Sequence, residues 1–164
     1  MILFGALSRH RHPRLPINPY PDQPIQECTR MNQKPYLRQI DVDAMLKASN
    51  EYAQSRGWAV AIAVVDEGGH LLGFTRRDSC PPISSYIAQE KAKSSALGQR
   101  ESKSYEDMIN GGRHAYLSVP VLSGMLEGGV NIVKNGFTIG AIGVSGVKPA
   151  MDAEIARAGI AALP

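Results

Sequence analysis

Residues 58–75 read Trp58-Ala-Val-Ala-Ile-Ala-Val-Val65, then Asp66-Glu-Gly-Gly-His70, then Leu71-Leu-Gly-Phe-Thr75. The first eight residues form an almost unbroken apolar run rich in β-branched side chains. That length and composition predict a strand buried on both faces. The paired glycines supply the positive φ angles of a tight turn, so Leu71–Thr75 returns as the second strand of a hairpin. Two strands joined by so short a turn must be antiparallel, because a parallel crossover needs a dozen residues or more.

Working outward, the upstream segment carries Val42, Met45, Leu46, Tyr52 and Ala53 at helical spacing. It predicts a helix capped by Asp41 and ended at Gly57. Downstream, Cys80-Pro-Pro82 breaks the chain, and a helix is expected over 84–97 with a small-sided stripe of Ala88, Ala92, Ser95 and Ala96 that lies close against the sheet. Between 99 and 125 the pattern weakens. Tyr105–Asn110 reads as a short helix ended by Gly111-Gly112, and Val119-Pro-Val-Leu122 as a short strand or edge segment. A second hairpin, Val130–Lys134 and Phe137–Ser145, turns at Asn135-Gly136, the strongest short turn signal in the chain. Pro149 opens a last helix with Asp152 and Glu154 in its first turn and a buried side of Met151, Ile155, Ala158, Gly159 and Ala162. The fold class is α+β: an antiparallel sheet covered by helices.

The 164 residues suffice for one domain, and a 43% apolar, 20% charged composition can bury a core. A surplus of +3 is too small to suggest nucleic acid, and no apolar run approaches a membrane span, so neither partner is expected. Residues 1–30 hold five of the eleven prolines and show no periodicity, which reads as an extended or disordered tail preceding a single domain over 31–164. Met31 is an alternative translation start. Met1–Leu7 imitates a signal core, but no basic residue precedes it, and Arg9-His-Arg-His-Pro-Arg14 follows where a small-residue cleavage site belongs. With only Cys28 and Cys80, a disulfide scaffold is not indicated and a cytoplasmic setting is expected.

Four histidines invite a metal reading. His10 and His12 fall in the tail, while His70 and His114 adjoin glycines on predicted turns, with no second ligand at helical or strand spacing. A zinc site therefore has no support. A haem iron needs only one axial imidazole, and either His70 or His114 would serve. Gly143-Val-Ser145-Gly146-Val147 imitates a nucleophile elbow, but its second glycine comes one position early and Ser145 ends a hairpin strand. Cys80 has no basic neighbour closer than Arg77, so a reactive thiolate is not indicated. Gly140, Gly143 and Gly146 recur every third residue through a strand, and Gly128-Gly129 precede its partner. Strand glycines mark a bulge or close approach by another backbone, by a sister subunit or by a flat ligand. Gly128, Gly129, Gly140, Gly143 and Ser145 are thus the ligand-contact candidates on this hairpin. Arg76 is the candidate for holding a carboxylate, with Asp66, Glu127 or Asp152 as general acid or base.

Three stretches together resemble the GlcG/HbpS family, which also occurs as the C-terminal domain of PduO-type proteins. They are Ala61-Ile-Ala-Val-Val-Asp-Glu-Gly-Gly-His-Leu-Leu-Gly-Phe-Thr-Arg-Arg-Asp78, Gly128-Gly-Val-Asn-Ile-Val, and Gly136-Phe-Thr-Ile-Gly-Ala-Ile-Gly-Val-Ser-Gly146 with Asp152 and Ala156-Arg-Ala-Gly159. The resemblance runs from about residue 36 to the C-terminus. It implies a five-stranded antiparallel sheet with flanking helices in a profilin-like arrangement, and assembly into homo-oligomers, often octamers. Some relatives bind haem or related tetrapyrroles, others accompany glycolate or aromatic catabolism, and no universal catalytic residue carries over. Asn131 stands where many relatives have proline, and Lys93-Ser94-Ser95-Ala96 replaces an Arg-Thr-Ala stretch. The region holding Met108, His114, Tyr116 and Met125 matches poorly. Three functions follow as expectations: an oligomeric accessory protein binding haem or another flat hydrophobic cofactor, a small catabolic enzyme acting on an organic acid, or a structural oligomer docking to a partner enzyme.

Overall fold

A computed structural model describes residues 33–164; the proline-rich stretch 1–30 lies outside them. The elements are α1 (Gln39–Ser55), β1 (Ala61–Asp66), β2 (Leu71–Arg76), α2 (Ile83–Gly98), α3 (Lys103–Asn110), a 3-10 turn (His114–Ser118), β3 (Gly129–Lys134), β4 (Phe137–Ser145) and α4 (Pro149–Ile160). Both expected hairpins form, and the four strands pair antiparallel in the order β2-β1-β4-β3. Two register slips interrupt the ladders, one where β2 meets Val64 and Val65 and one where β4 meets Ile132 and Val133. Among the described residues the sheet has four strands, which corrects the expectation of five. Pro120 lacks an amide to donate to a ladder, and the Leu122 amide turns back onto the Val119 carbonyl at 3.2 Å, so 119–122 is a turn. No helix among the described residues is long and apolar enough to cross a membrane.

The two faces of the sheet are built differently. On one, Ile62, Val64, Ile142 and Val144 meet Val42 and Met45 of α1 and Ile155 of α4 in a core of large side chains. On the other, Ala61, Ala63, Val65 and Ala141 meet Ala88, Ala92 and Ala96 of α2. Small residues facing small residues let the helix descend onto the strands, as the sequence stripe predicts. The approach is closest at Gly143, where a Cβ would lie 2.0 Å from the Ala88 carbonyl oxygen and 2.4 Å from the Ala92 nitrogen. At Gly129 a Cβ would stand 2.2 Å from the Lys91 carbonyl oxygen. Gly140 meets the neighbouring strand instead, at the Val65 carbonyl. Of the readings open for these glycines, packing by the chain's own backbone is what the fold displays.

Two details of the helices differ from expectation. Asp41 is not the cap of α1 but its third residue: Arg38 holds the cap position, and the Asp41 carboxylate reaches back to accept the Arg38 amide at 3.0 Å and Nε at 2.9 Å. The hydrogen bonds from Arg38, side chain first, hold this carboxyl below its usual range. In α4 the buried side is Asp152, Ala153, Ile155, Ala156 and Gly159, whereas Met151 is half-buried and Ala162 lies exposed past the helix end. The helix is turned so that Gly159 admits α1, with the Ser49 hydroxyl donating to the Ile155 carbonyl at 3.1 Å.

Adding one methyl at Gly143 must push α2 off the sheet. Gly143→Ala is expected to destabilise by about 3 kcal/mol, at the upper end of overpacking costs. Gly136→Asn, at a turn position with φ +79° and open space around it, is expected to shift stability by less than about 1 kcal/mol, since asparagine tolerates the left-handed region. Urea denaturation midpoints with matched slopes test the pair.

Candidate functional site

The turn of the first hairpin builds a small preorganised unit. The β1 strand delivers Asp66 to the turn, where its Oδ1 accepts the amides of Gly68 at 2.8 Å and His70 at 2.9 Å. The same carboxylate takes His70 Nδ1, 3.0 Å from Oδ2. Burial pushes the Asp66 carboxyl up, but the backbone and side-chain hydrogen bonds from His70 and the Gly68 amide outweigh it and hold the group below its usual range. With Nδ1 donating, a neutral imidazole keeps its lone pair on Nε2. The ring is held by one nitrogen while its side chain stays 81% exposed.

The strand that leaves this turn carries exposed apolar side chains. Leu71, Phe74 and Arg76 pair with Val65, Ala63 and Ala61, the strand residues that carry α2, so all three lie on the α2 face of the sheet. Helix α2 packs over β1, β4 and β3, which leaves Leu71 49% exposed and Phe74 similarly so beyond its edge. Leu97 of α2 is also exposed, and with Lys93 it packs beside Gly69 of the turn. Lys93 has no ion-pair partner among the described residues.

The other candidates are placed apart. His114 opens the exposed 3-10 turn and has no hydrogen bond from its ring among the described residues. Arg76 lines a polar hollow of about 290 Å3 with Asn50, Thr75, Arg77 and Asp78, and none of Asp66, Glu127 or Asp152 reaches it. Glu127 faces Lys103 at 4.0 Å. Ser145 is buried, and its carbonyl accepts the Cys80 thiol at 3.9 Å. The space above Gly129 and Gly143 is filled by α2, and that above Gly128 by the Lys91 ammonium, the Val144 carbonyl and Asp152. No three His, Cys, Asp or Glu side chains among the described residues gather as metal ligands.

Asp152 has a partner that the sequence reading passes over. Lys91 Nζ donates to Asp152 Oδ2 at 2.9 Å and to the Val144 carbonyl at 3.1 Å, with the side chains 4% and 2% exposed. The Val147 amide donates to the other carboxylate oxygen at 3.2 Å. Burial pushes the Asp152 carboxyl above its ordinary value, and the Lys91 charge and hydrogen bond pull it only partly back. One signal was available: Lys91 lies three residues after Ala88 and beside Ala92, on the small stripe that α2 turns to the sheet.

The chain matches the family described as "Haem degrading protein HbpS-like" over residues 37–161. It belongs to the HbpS-like family. It is 51% identical to Protein GlcG of Escherichia coli K12 over 115 residues, 70% of this chain and 85% of GlcG. A crystal structure of a double mutant of Streptomyces reticuli HbpS superposes with a TM-score of 0.75 at 27% identity, over 82% of this chain and 91% of that one. The crystal structure described as a PduOC:Heme complex does so with a TM-score of 0.71 at 25% identity, over 79% and 96%. The HbpS-like match spans the His70 turn, the α2 packing and the Lys91–Asp152 pair alike.

Two predictions follow from this geometry. Lys91→Met strands a buried carboxylate and is expected to cost about 3–5 kcal/mol, while Lys91→Met combined with Asp152→Leu recovers most of the loss; chemical denaturation of both variants tests this. For Asp66, the folded pKa lies below the ordinary 3.8. Its stabilising contribution is therefore complete above that value and is lost as pH falls through the lowered one. Melting temperatures of wild type and Asp66→Asn should converge on acidification toward about pH 2.

Proposed function

We propose that this protein is a cytosolic homo-oligomeric accessory protein that binds haem or a related tetrapyrrole, with His70 as the axial ligand. One observation carries the reading: the Asp66 carboxylate fixes Nδ1 of an otherwise exposed imidazole and leaves Nε2 without a partner among the described residues, on the turn that leads into exposed Leu71. A carboxylate on the second ring nitrogen is the usual support of a metal-bound histidine, because it sets the ring's orientation and raises its basicity. Leu71, Phe74 and Leu97 offer a face to a flat macrocycle, and Lys93 supplies a cation for its carboxylates. When bound, haem would bring an iron centre whose remaining coordination and redox behaviour the pocket tunes. The haem complex among the solved relatives supports the ligand class, and the half-covered surface beside β2 supports completion of the pocket by a second copy.

Titration with haem is expected to give a saturable Soret band. His70→Ala should abolish or shift it, and Asp66→Asn should weaken affinity by about 10–100-fold, the usual effect of losing such a support. His114→Ala should leave band and affinity unchanged. A band that persists in His70→Ala but is lost in His114→Ala would move the ligand to the 3-10 turn, and no saturable band at all would end the reading.

A further inference from the structure

Apart from the His70 turn, a hollow of about 440 Å3 lies between α3, the 3-10 turn and residues 122–126. Its walls are Ile109, Leu117, Leu122, Met125 and Leu126, and Glu106 stands at its side. Leu117 is 65% exposed and Leu126 is exposed as well. A concave apolar surface of this volume with few polar groups is the usual form of a small-molecule site.

The walls are held in place by the neighbouring helices. The Ser94 hydroxyl donates to the Ser123 carbonyl at 2.6 Å, and the Ser123 hydroxyl donates to Glu90. The Ser102 hydroxyl donates to the Leu126 carbonyl, and the Glu127 amide donates to Glu106 Oε2 at 2.6 Å. Gly124 sits at φ +57° against α2, where a Cβ would meet Glu90 at 2.5 Å. Each hydrogen bond ties the loop backbone or its side chain to α2 or α3, so the hollow is a formed feature of the chain.

Charge decides the class of occupant. No Lys or Arg lines the groove. Glu106 Oε2 is engaged by the Glu127 amide, and Oε1 has no partner among the described residues. Glu90 and Glu127 lie nearby, and Lys103 is drawn off to Asp107 and Glu127. Such a rim repels carboxylates, haem propionates included, and favours a donor. We propose that this groove is a second binding site, separate from the His70 surface, for an apolar amine whose protonated nitrogen meets the Glu106 carboxylate.

Three naphthalene probes of matched shape test it by calorimetry on the full-length protein: 1-naphthylmethylamine, 1-naphthylmethanol and 1-naphthoate. The amine is expected to bind one per chain, about tenfold or more tighter than the carboxylate, the factor that one charge-assisted hydrogen bond provides. Glu106→Gln keeps an acceptor for the Glu127 amide and should erase the preference of amine over alcohol. Leu117→Ser and Leu122→Ser, both at accessible positions, should weaken all three probes while leaving the haem Soret titration unchanged. Equal affinity for the amine and the carboxylate, or affinity untouched by the leucine variants, would overturn the proposal. So would a failure of all probes accompanied by dissociation of the protein in Leu122→Ser, which would assign the groove to contact between copies. A Soret signal lost together with probe binding in Leu122→Ser would overturn the separateness of the two sites.

Discussion

Helix α2 rests on the sheet with almost nothing between its backbone and that of the strands. Gly143 and Gly129 have no side chains to hold it away, and Ala88 and Ala92 bring only methyl groups from the helix. Much of the interior follows from that close seat. A helix lowered this far carries Lys91 below the surface, where an unpaired ammonium would be costly. Asp152 must therefore turn inward from the first turn of α4, the Val144 carbonyl must accept a second hydrogen bond from the ammonium, and Gly128 must stay without a side chain, since a Cβ would lie 2.8 Å from Nζ. The ion pair thus joins α2 to α4 beside Gly128 and Val144, where β3 begins and β4 ends. It is a structural pin that holds Asp152 beneath the surface.

The same geometry creates the exposed surface at the other hairpin. Because α2 sits deep over β1, β4 and β3, it is not broad enough to cover β2. Leu71 and Phe74, on the correct face for a core, are left half-covered. The turn that joins β1 to β2 is tied to its own carboxylate, which also holds the His70 ring by Nδ1. A histidine held on a hairpin turn is more precisely placed than one on a free loop, because the hydrogen-bonded strands fix the position of Asp66.

Much of this was legible in the residues. The apolar run to Val65, the Asp66–His70 turn and the Asn135-Gly136 turn give both hairpins, since period and turn chemistry are local. The alanine stripe of α2 likewise reads directly. What does not read locally is pairing across distance. Lys91 and Asp152 are 61 positions apart, and although Lys91 falls on the inward stripe of α2, nothing in that helix names its partner. Asp66 and His70 are close in sequence, yet a turn aspartate accepting backbone amides conceals its second task of gripping the ring. The fifth strand was an expectation from family resemblance and from Val119–Leu122, where the missing amide of Pro120 argued against it. At α1, Asp41 resembles a cap because capping and third-position acids share one composition.

The sheet ends at β2 and β3, six residues each, and neither outer margin has a strand partner among the described residues. Bare margins of this kind invite a neighbouring chain to continue the ladder into open-ended fibrils. Here β2 is interrupted by a register slip and finishes at Arg76, while β3 loses register with β4 between Ile132 and Val133 and finishes at Lys134. Broken spacing and terminal cations give an incoming strand a poor template. Growth that stops at a closed number of copies is therefore better served by flanks and helices than by these margins.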